Sequence, residues 1–252
     1  MRARPSLLAC ATAAALAFGC GATPSPASAP GPEAAPAPEP PTDEELAAAL
    51  LELSKRDQAA RSRLVEAMAS VERSADGSFE LSGEQAEVMR AVRDIDAEST
   101  AFLRDVIATS GWPTIDRVGR DASHAAWLLA QHADAAPDLQ AEVLALMEPL
   151  VASEQVDPTE FAYLTDRVRV ARGEPQLYGT QFGSDEDGVS RPLPIEEPTA
   201  VDERRAAVGL ETLAEYAESL GAVYGTEVSP IPLESGPGAG AGAGTGESDG
   251  DG

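Results

Sequence analysis

Cysteine is confined to Cys10 and Cys20, so everything beyond the first twenty residues lacks a disulfide, a thiol nucleophile and a cysteine metal site. Histidine is almost as scarce. His124 and His132 stand alone, eight residues apart, which is not a metal-ligand spacing, and no metal site is expected. Lysine occurs once, at Lys55, leaving Schiff-base chemistry almost without a candidate. Aromatics make up only 4% of the chain, and the 43% hydrophobic fraction leans on alanine. The core is therefore expected to be small, helix-rich and built on Leu, Val and Ala. Basic residues are outnumbered 18 to 43, giving a net charge of -25. Such a surface repels phosphate backbones, so no nucleic-acid partner is expected. The sequence contains no nucleophile elbow, phosphate loop, zinc signature or dinucleotide fingerprint, and no cofactor is expected.

The N-terminus reads as an address. Arg2 and Arg4 precede an apolar run, Ser6 to Phe18, that is short for a membrane-spanning helix. Ala17–Phe18–Gly19–Cys20 follows, and small residues before such a cysteine resemble a bacterial lipoprotein signal. Residues 1–19 are then a signal peptide, and Cys20 is the lipidated first residue of an exported, membrane-anchored chain at the outer membrane or cell surface. An ordinary secretory peptide is the alternative, with a poor cleavage site at Ala27–Ala29 because Pro30 follows. Residues 20–41 are rich in Pro and Ala and predict a disordered tether; polyproline geometry would let it reach about 60 Å. Residues 233–252, rich in Gly, Ala and acidic side chains, predict a disordered tail.

Between these ends, residues 42–232 predict one mainly α domain of six to seven helices with a small β-hairpin near 176–195. Apolar residues from Leu46 through Leu50, Leu53, Ala60 and Leu64 to Val71 recur at helical spacing, but Asp57 stands where the stripe asks for a leucine. Unpaired burial of that carboxylate would be costly, and Arg61 lies at the i+4 position where it can pair. After a turn at Asp76–Gly77, Ser82 and Gln85 form a capping box for a second helix ending at Ser110–Gly111, with glycine as a left-handed cap. Trp112–Pro113 stops that helix, and the tryptophan suits a lid on the core. A third helix over Asp121–Ala133 carries His132 on its apolar face, and a fourth starts at Pro137. Asp157–Pro158–Thr159–Glu160 is a strong start for a fifth, which holds Tyr163, Asp166 and Arg167. From Gln176 the period changes to two, through Tyr178, Thr180 and Gln181 to Phe182, and a partner strand is expected over Val189–Ile195. The acidic loop between them lacks the EF-hand ligand pattern and reads as a solvated turn. Thr199–Asp202 and Thr212–Glu215 look like capping boxes of two last helices, the first of which carries Arg204.

Asp57–Gln58–x–x–Arg61, Gly111–Trp112–Pro113, Gln131–His132–Ala133–Asp134, Tyr163–Leu164–x–Asp166–Arg167 and Gln176–x–Tyr178–Gly179–Thr180–Gln181 occur in that order, followed by Arg204 to Leu210. This set resembles a bacterial domain family of unknown function, often found in secreted or lipid-anchored proteins, over about Leu46 to Ala222. One departure is Ser99, where an asparagine is expected before the threonine. The resemblance implies a location for a site but no activity. Asp57, His132 and Asp166 are the candidate acid–base residues, with Gln58, Arg61, Trp112, Gln131, Tyr163, Arg167, Gln176, Tyr178, Thr180, Gln181 and Arg204 as candidate binding residues. Asp57, Gln58, Arg61, His132, Asp166, Arg167, Tyr178 and Gln181 are expected to meet in one polar pocket that takes a small ligand or an envelope protein. An extracytoplasmic hydrolase or transferase is the alternative, and a satisfied structural network without a ligand is a third reading.

Overall fold

The computed structural model describes residues 40–68, 82–185 and 188–234. The expected signal peptide, Cys20, almost all of the linker, Val71, the Asp76–Gly77 turn and nearly all of the tail lie outside the described residues.

Helix α1 (Asp43–Met68) starts at a reciprocal cap in which Glu45 N–H donates to the Thr42 hydroxyl and Thr42 N–H donates to the Glu45 carboxylate. Its buried stripe is Leu46, Leu50, Leu53 and Asp57, so the carboxylate does occupy the leucine position. The Ser82–Gln85 capping box opens α2 (Gly83–Ser110), which buries Val92, Ile95, Ser99, Leu103 and Val106. Gly111 ends it with a positive φ of 74° but an extended ψ of -169°, not the left-handed cap. That geometry sends the chain straight into Trp112, which is buried in the core. The expected third helix forms, and one short helix that the stripes did not indicate comes before it. A short α3 (Ile115–Val118) precedes α4 (Arg120–Gln131), and Gly119 turns the chain between them at φ 83°. Helix α5 (Pro137–Val151) begins on proline as expected, and α6 (Pro158–Ala171) is capped by Asp157, which accepts from Thr159 N–H.

Helix α4 is the hub. Ala122, Ser123, Ala125, Ala126, Leu129 and Ala130 are all buried, and α1, α2, α3, α5 and α6 pack around it. Small side chains let neighbouring helices approach closely, so a core poor in aromatics still closes.

The small antiparallel sheet is present but shorter than the alternation suggests. β1 (Phe182–Ser184) pairs with β2 (Ser190–Pro192). Residues 177–181 form no strand, because a buried carboxylate takes their N–H groups, as described below. The chain then runs through a 3-10 turn (Pro198–Ala200) into α7 (Val201–Ala207) and α8 (Leu213–Tyr224). The capping box expected at Thr199 does not form; Asp202 instead accepts from Leu213 N–H, while the Thr212–Glu215 box does form. Ile195, Val201 and Leu213, with Phe182 against them, make a second apolar cluster. Gly179 sits at its edge with φ +70°, and a Cβ there would lie 2.9 Å from side-chain carbons of Ile195 and Leu213. Both the backbone angle and the contact demand glycine. Gly179→Ala is therefore expected to lower stability by about 2 kcal/mol, checked by urea unfolding of the two proteins side by side.

Candidate functional site

Helix α1 and the residue that caps α4 bring four of the candidate side chains, Asp57, Gln58, Arg61 and His132, together. Asp57 has no exposed surface. Its Oδ1 accepts from Arg61 Nε at 3.0 Å, and its Oδ2 lies 2.8 Å from His132 Nδ1 and accepts from Gln58 Nε2 at 3.1 Å. Arg61 reaches across to α2, where its Nη2 donates to Asp96. Asp96, not among the candidate residues from the sequence, lies beside the second stripe and is one full member of the cluster. His132 is the cap residue immediately after α4, and its N–H closes onto Leu128 O.

The protonation pattern follows from one conflict. His132 Nδ1 is 2.8 Å from the Asp57 carboxylate and 2.9 Å from Arg61 Nε. One nitrogen cannot donate to the first and accept from the second at once. A proton on Nδ1 satisfies Asp57 and leaves Arg61 Nε its own bond to the other carboxylate oxygen. Nε2 is then the free position of the ring, and among the described residues it has no hydrogen-bond partner. Burial pushes the Asp57 carboxyl up, but the hydrogen bond and charge of His132 and the charge of Arg61 outweigh it and hold Asp57 below its ordinary value. Asp96 moves the other way, because burial and the neighbouring Asp57 charge outweigh Arg61.

A groove of about 410 Å3 adjoins this cluster. Asp96, Ala97, Thr100 and Ala101 of α2 form one wall, and Ala133, Ala135 and Ala136 form the other. Asp96 is thus both a groove wall and an anchor of Arg61, and Ala133 directly follows His132.

The remaining candidates do not join this pocket. Asp166, also fully buried, accepts from the backbone N–H groups of Leu177, Tyr178 and Thr180 at 2.7, 3.0 and 2.9 Å, and from the Thr180 hydroxyl at 3.0 Å. It shapes the loop that the alternation had suggested as a strand. Gln176 finishes that loop: its Nε2 donates to Gln181 O and Leu193 O, and its Oε1 accepts from Gln181 N–H. Gln181 Nε2 donates to the Thr180 hydroxyl, and Arg204 Nε donates to Leu177 O. Burial and the Asp166 charge push the Tyr178 phenol up. Among the described residues no hydrogen bond joins Asp166, Tyr178 or Gln181 to Asp57 or His132. The link between the two networks is short: Arg167, next to Asp166, donates to Asp134, two residues after His132.

Trp112 lies in the hydrophobic core, 5% exposed, and its indole N–H has no hydrogen-bond partner among the described residues. Gln131 and Tyr163 lie between α4 and α6, where Tyr163 packs edge-on against Trp127 at 6.3 Å. Arg205, the neighbour of Arg204, is fully buried, donates to Tyr178 O and Glu211 O, and lies 4.9 Å from the Tyr216 ring centroid. Burial pushes its guanidinium down. His124, the other histidine, pairs through Nδ1 with Glu160, whose carboxyl burial pushes up against the opposing pull of His124. No group of three His, Cys, Asp or Glu side chains is arranged for a metal ion among the described residues.

The depressed Asp57 carboxyl has a testable consequence. A carboxylate whose folded pKa lies below its unfolded one contributes stability above the ordinary carboxylate range and loses it as pH falls through the folded value. Asp57→Asn is therefore expected to be less stable than wild type at neutral pH, with the deficit shrinking below about pH 4. Urea melts at pH 7 and pH 3 measure it, and a deficit independent of pH would show that the charge of Asp57 is not what holds the cluster.

Residues 44–229 match the model of a family of unknown function, DUF6624. No curated protein and no solved structure matches the chain.

Proposed function

Because this chain belongs to the DUF6624 family, whose function is unknown, its role must be argued from its own side chains, and we propose that it is an exported, lipid-tethered module that binds a small ligand at the Asp57–His132 dyad. The observation that carries this reading is the assembly of Asp57, Arg61, Asp96 and His132 from three helices beside an open groove. A buried ion cluster costs desolvation energy that apolar packing would avoid, and such clusters concentrate at functional sites. Here one end of the cluster is not closed off: His132 Nε2 has no protein partner among the described residues, and the Arg61 side chain keeps 28% of its surface exposed.

The ligand reading is tested by a thermal-shift screen of the protein against metabolites, metal ions and cell-wall fragments. Wild type, Asp57→Ala and His132→Ala are compared. A compound that raises the melting temperature of wild type and leaves both variants unshifted supports the site. If both variants merely melt earlier and every compound that shifts wild type shifts them equally, the cluster is a structural network.

One observation favours a second reading. With Nδ1 committed to Asp57, His132 is oriented as a general base through Nε2, with Arg61 beside it as an anion stabiliser. An extracytoplasmic hydrolase or transferase would use the same atoms. A turnover rate that disappears in His132→Gln while ligand binding persists distinguishes catalysis from binding alone.

The export and tether rest on Arg2, Arg4, the Ser6–Phe18 run and Cys20. Expression in a bacterial host with labelled fatty acid is expected to mark wild type and not Cys20→Ser. A mature wild-type N-terminus beyond residue 20, without lipid, would sink the tether.

A further inference from the structure

Six buried side-chain polar atoms lack a hydrogen-bond partner among the described residues, and four of them belong to Trp127 and Gln131 of α4, Arg167 of α6 and Arg205 of α7. Trp127 Nε1 belongs to the ring that packs edge-on against Tyr163 at 6.3 Å. Gln131 Oε1 lies one helical turn beyond Trp127 on α4, and Arg167 Nε lies one turn beyond Tyr163 on α6. Arg205 Nη2 belongs to the guanidinium over Tyr216, whose ring packs edge-on against Tyr163 at 6.2 Å. Phe182 extends this aromatic row at 5.7 Å from Tyr216.

Each orphaned buried polar atom destabilises the fold, and native proteins keep few of them. A cluster of four in one seam is not explained by packing, since Leu or Met at Gln131 would fill the same space without the cost. Nor do the orphans satisfy one another. They comprise three donors and one acceptor, and two of the donors are guanidinium N–H groups. The complementary molecule is therefore rich in acceptor oxygens, carries negative charge, and offers at least one donor to Gln131 Oε1. Aromatic walls require that it also has an apolar face. Trp127 and Arg205 are themselves more than nine-tenths buried, while Tyr163, Tyr216 and Phe182 are only half-buried and form the rim.

We propose that the seam between α4, α6 and α8 around Tyr163 is a binding site for a hydroxylated carboxylate of the sugar-acid class, separate from the Asp57–His132 dyad. Arg167 and Arg205 take its carboxylate, Gln131 accepts from one of its hydroxyls, and the Trp127, Tyr163 and Tyr216 rings hold its apolar face. Because the orphaned atoms are covered, binding displaces the half-buried rings at the rim. Tyr216 is the ring over the Arg205 guanidinium, so its displacement opens the site.

Calorimetric titration of the full-length protein with glucuronate tests this, with glucose and hexanoate as the neutral and the hydroxyl-free probes. Glucuronate is expected to bind, and the other two to bind at least about tenfold more weakly. Arg167→Met is expected to weaken glucuronate by about tenfold or more without changing the circular dichroism spectrum. Gln131→Met gives the discriminating result: it removes an orphaned acceptor, so it is expected to melt at or above the wild-type temperature while losing affinity. Failure of wild type to bind glucuronate overturns the inference, as does a Gln131→Met protein that melts lower and binds normally. His132→Ala separates the two sites. Binding that survives in it and fails in Arg167→Met belongs to the seam, whereas the reverse pattern assigns the ligand to the dyad and removes the second site.

Discussion

A carboxylate with no access to water can remain charged only if the protein answers it, and the answer to Asp57 fixes how three helices meet. Arg61 answers from the same helix, one turn on. His132 answers from the end of α4, and Asp96 on α2 steadies the arginine from the far side. Removing Arg61 would leave the Asp57 carboxylate buried without its permanently charged partner, which costs far more than the net worth of the intact cluster. The helices are thus located relative to one another by an electrostatic condition as well as by apolar contact. The imidazole is presented at the open edge because its inner nitrogen is already taken.

Asp166 applies the same rule to the backbone. Its carboxylate gathers three successive-loop N–H groups and one hydroxyl, so the segment after α6 bends around it instead of extending into a sheet. Arg204 and Arg205 complete the arrangement from the other side by donating to the carbonyls of Leu177 and Tyr178. One buried anion and two inward arginines thereby convert a stretch with strand-like alternation into a rigid loop.

Much of this was legible from residue order. Helical stripes located α1, α2, α4, α5 and α6, and the Ser82, Asp157 and Thr212 caps marked the starts of α2, α6 and α8. Asp57 announced itself as a charge on an apolar stripe, and Arg61 stood at pairing distance. What was hidden depended on contacts between distant segments. The alternation over 176–182 is a local pattern, and nothing local says that a carboxylate ten residues earlier will capture its N–H groups. Asp96 and Arg205 carry no periodic anomaly, so only the packed fold reveals what they face. The split of α3 from α4 rests on Gly119 adopting a positive φ, a conformation that glycine permits but does not require. The expectation of a single pocket treated two networks as one, although every residue of the first precedes those of the second in the chain.

The alanine composition of α4 has a consequence for precision. A helix that meets its neighbours mainly through Cβ atoms has few rotatable bonds at the interface, so the spacing of the surrounding helices is set by backbone radii rather than by side-chain choice. Long side chains can absorb a shift of half an ångström by changing rotamer; methyl groups cannot. The hub therefore behaves as a ruler with the imidazole of His132 mounted at its end. Sequence drift elsewhere on the surface leaves that ruler unchanged, whereas one added methylene at Ala126 or Ala130 would displace every group measured from it.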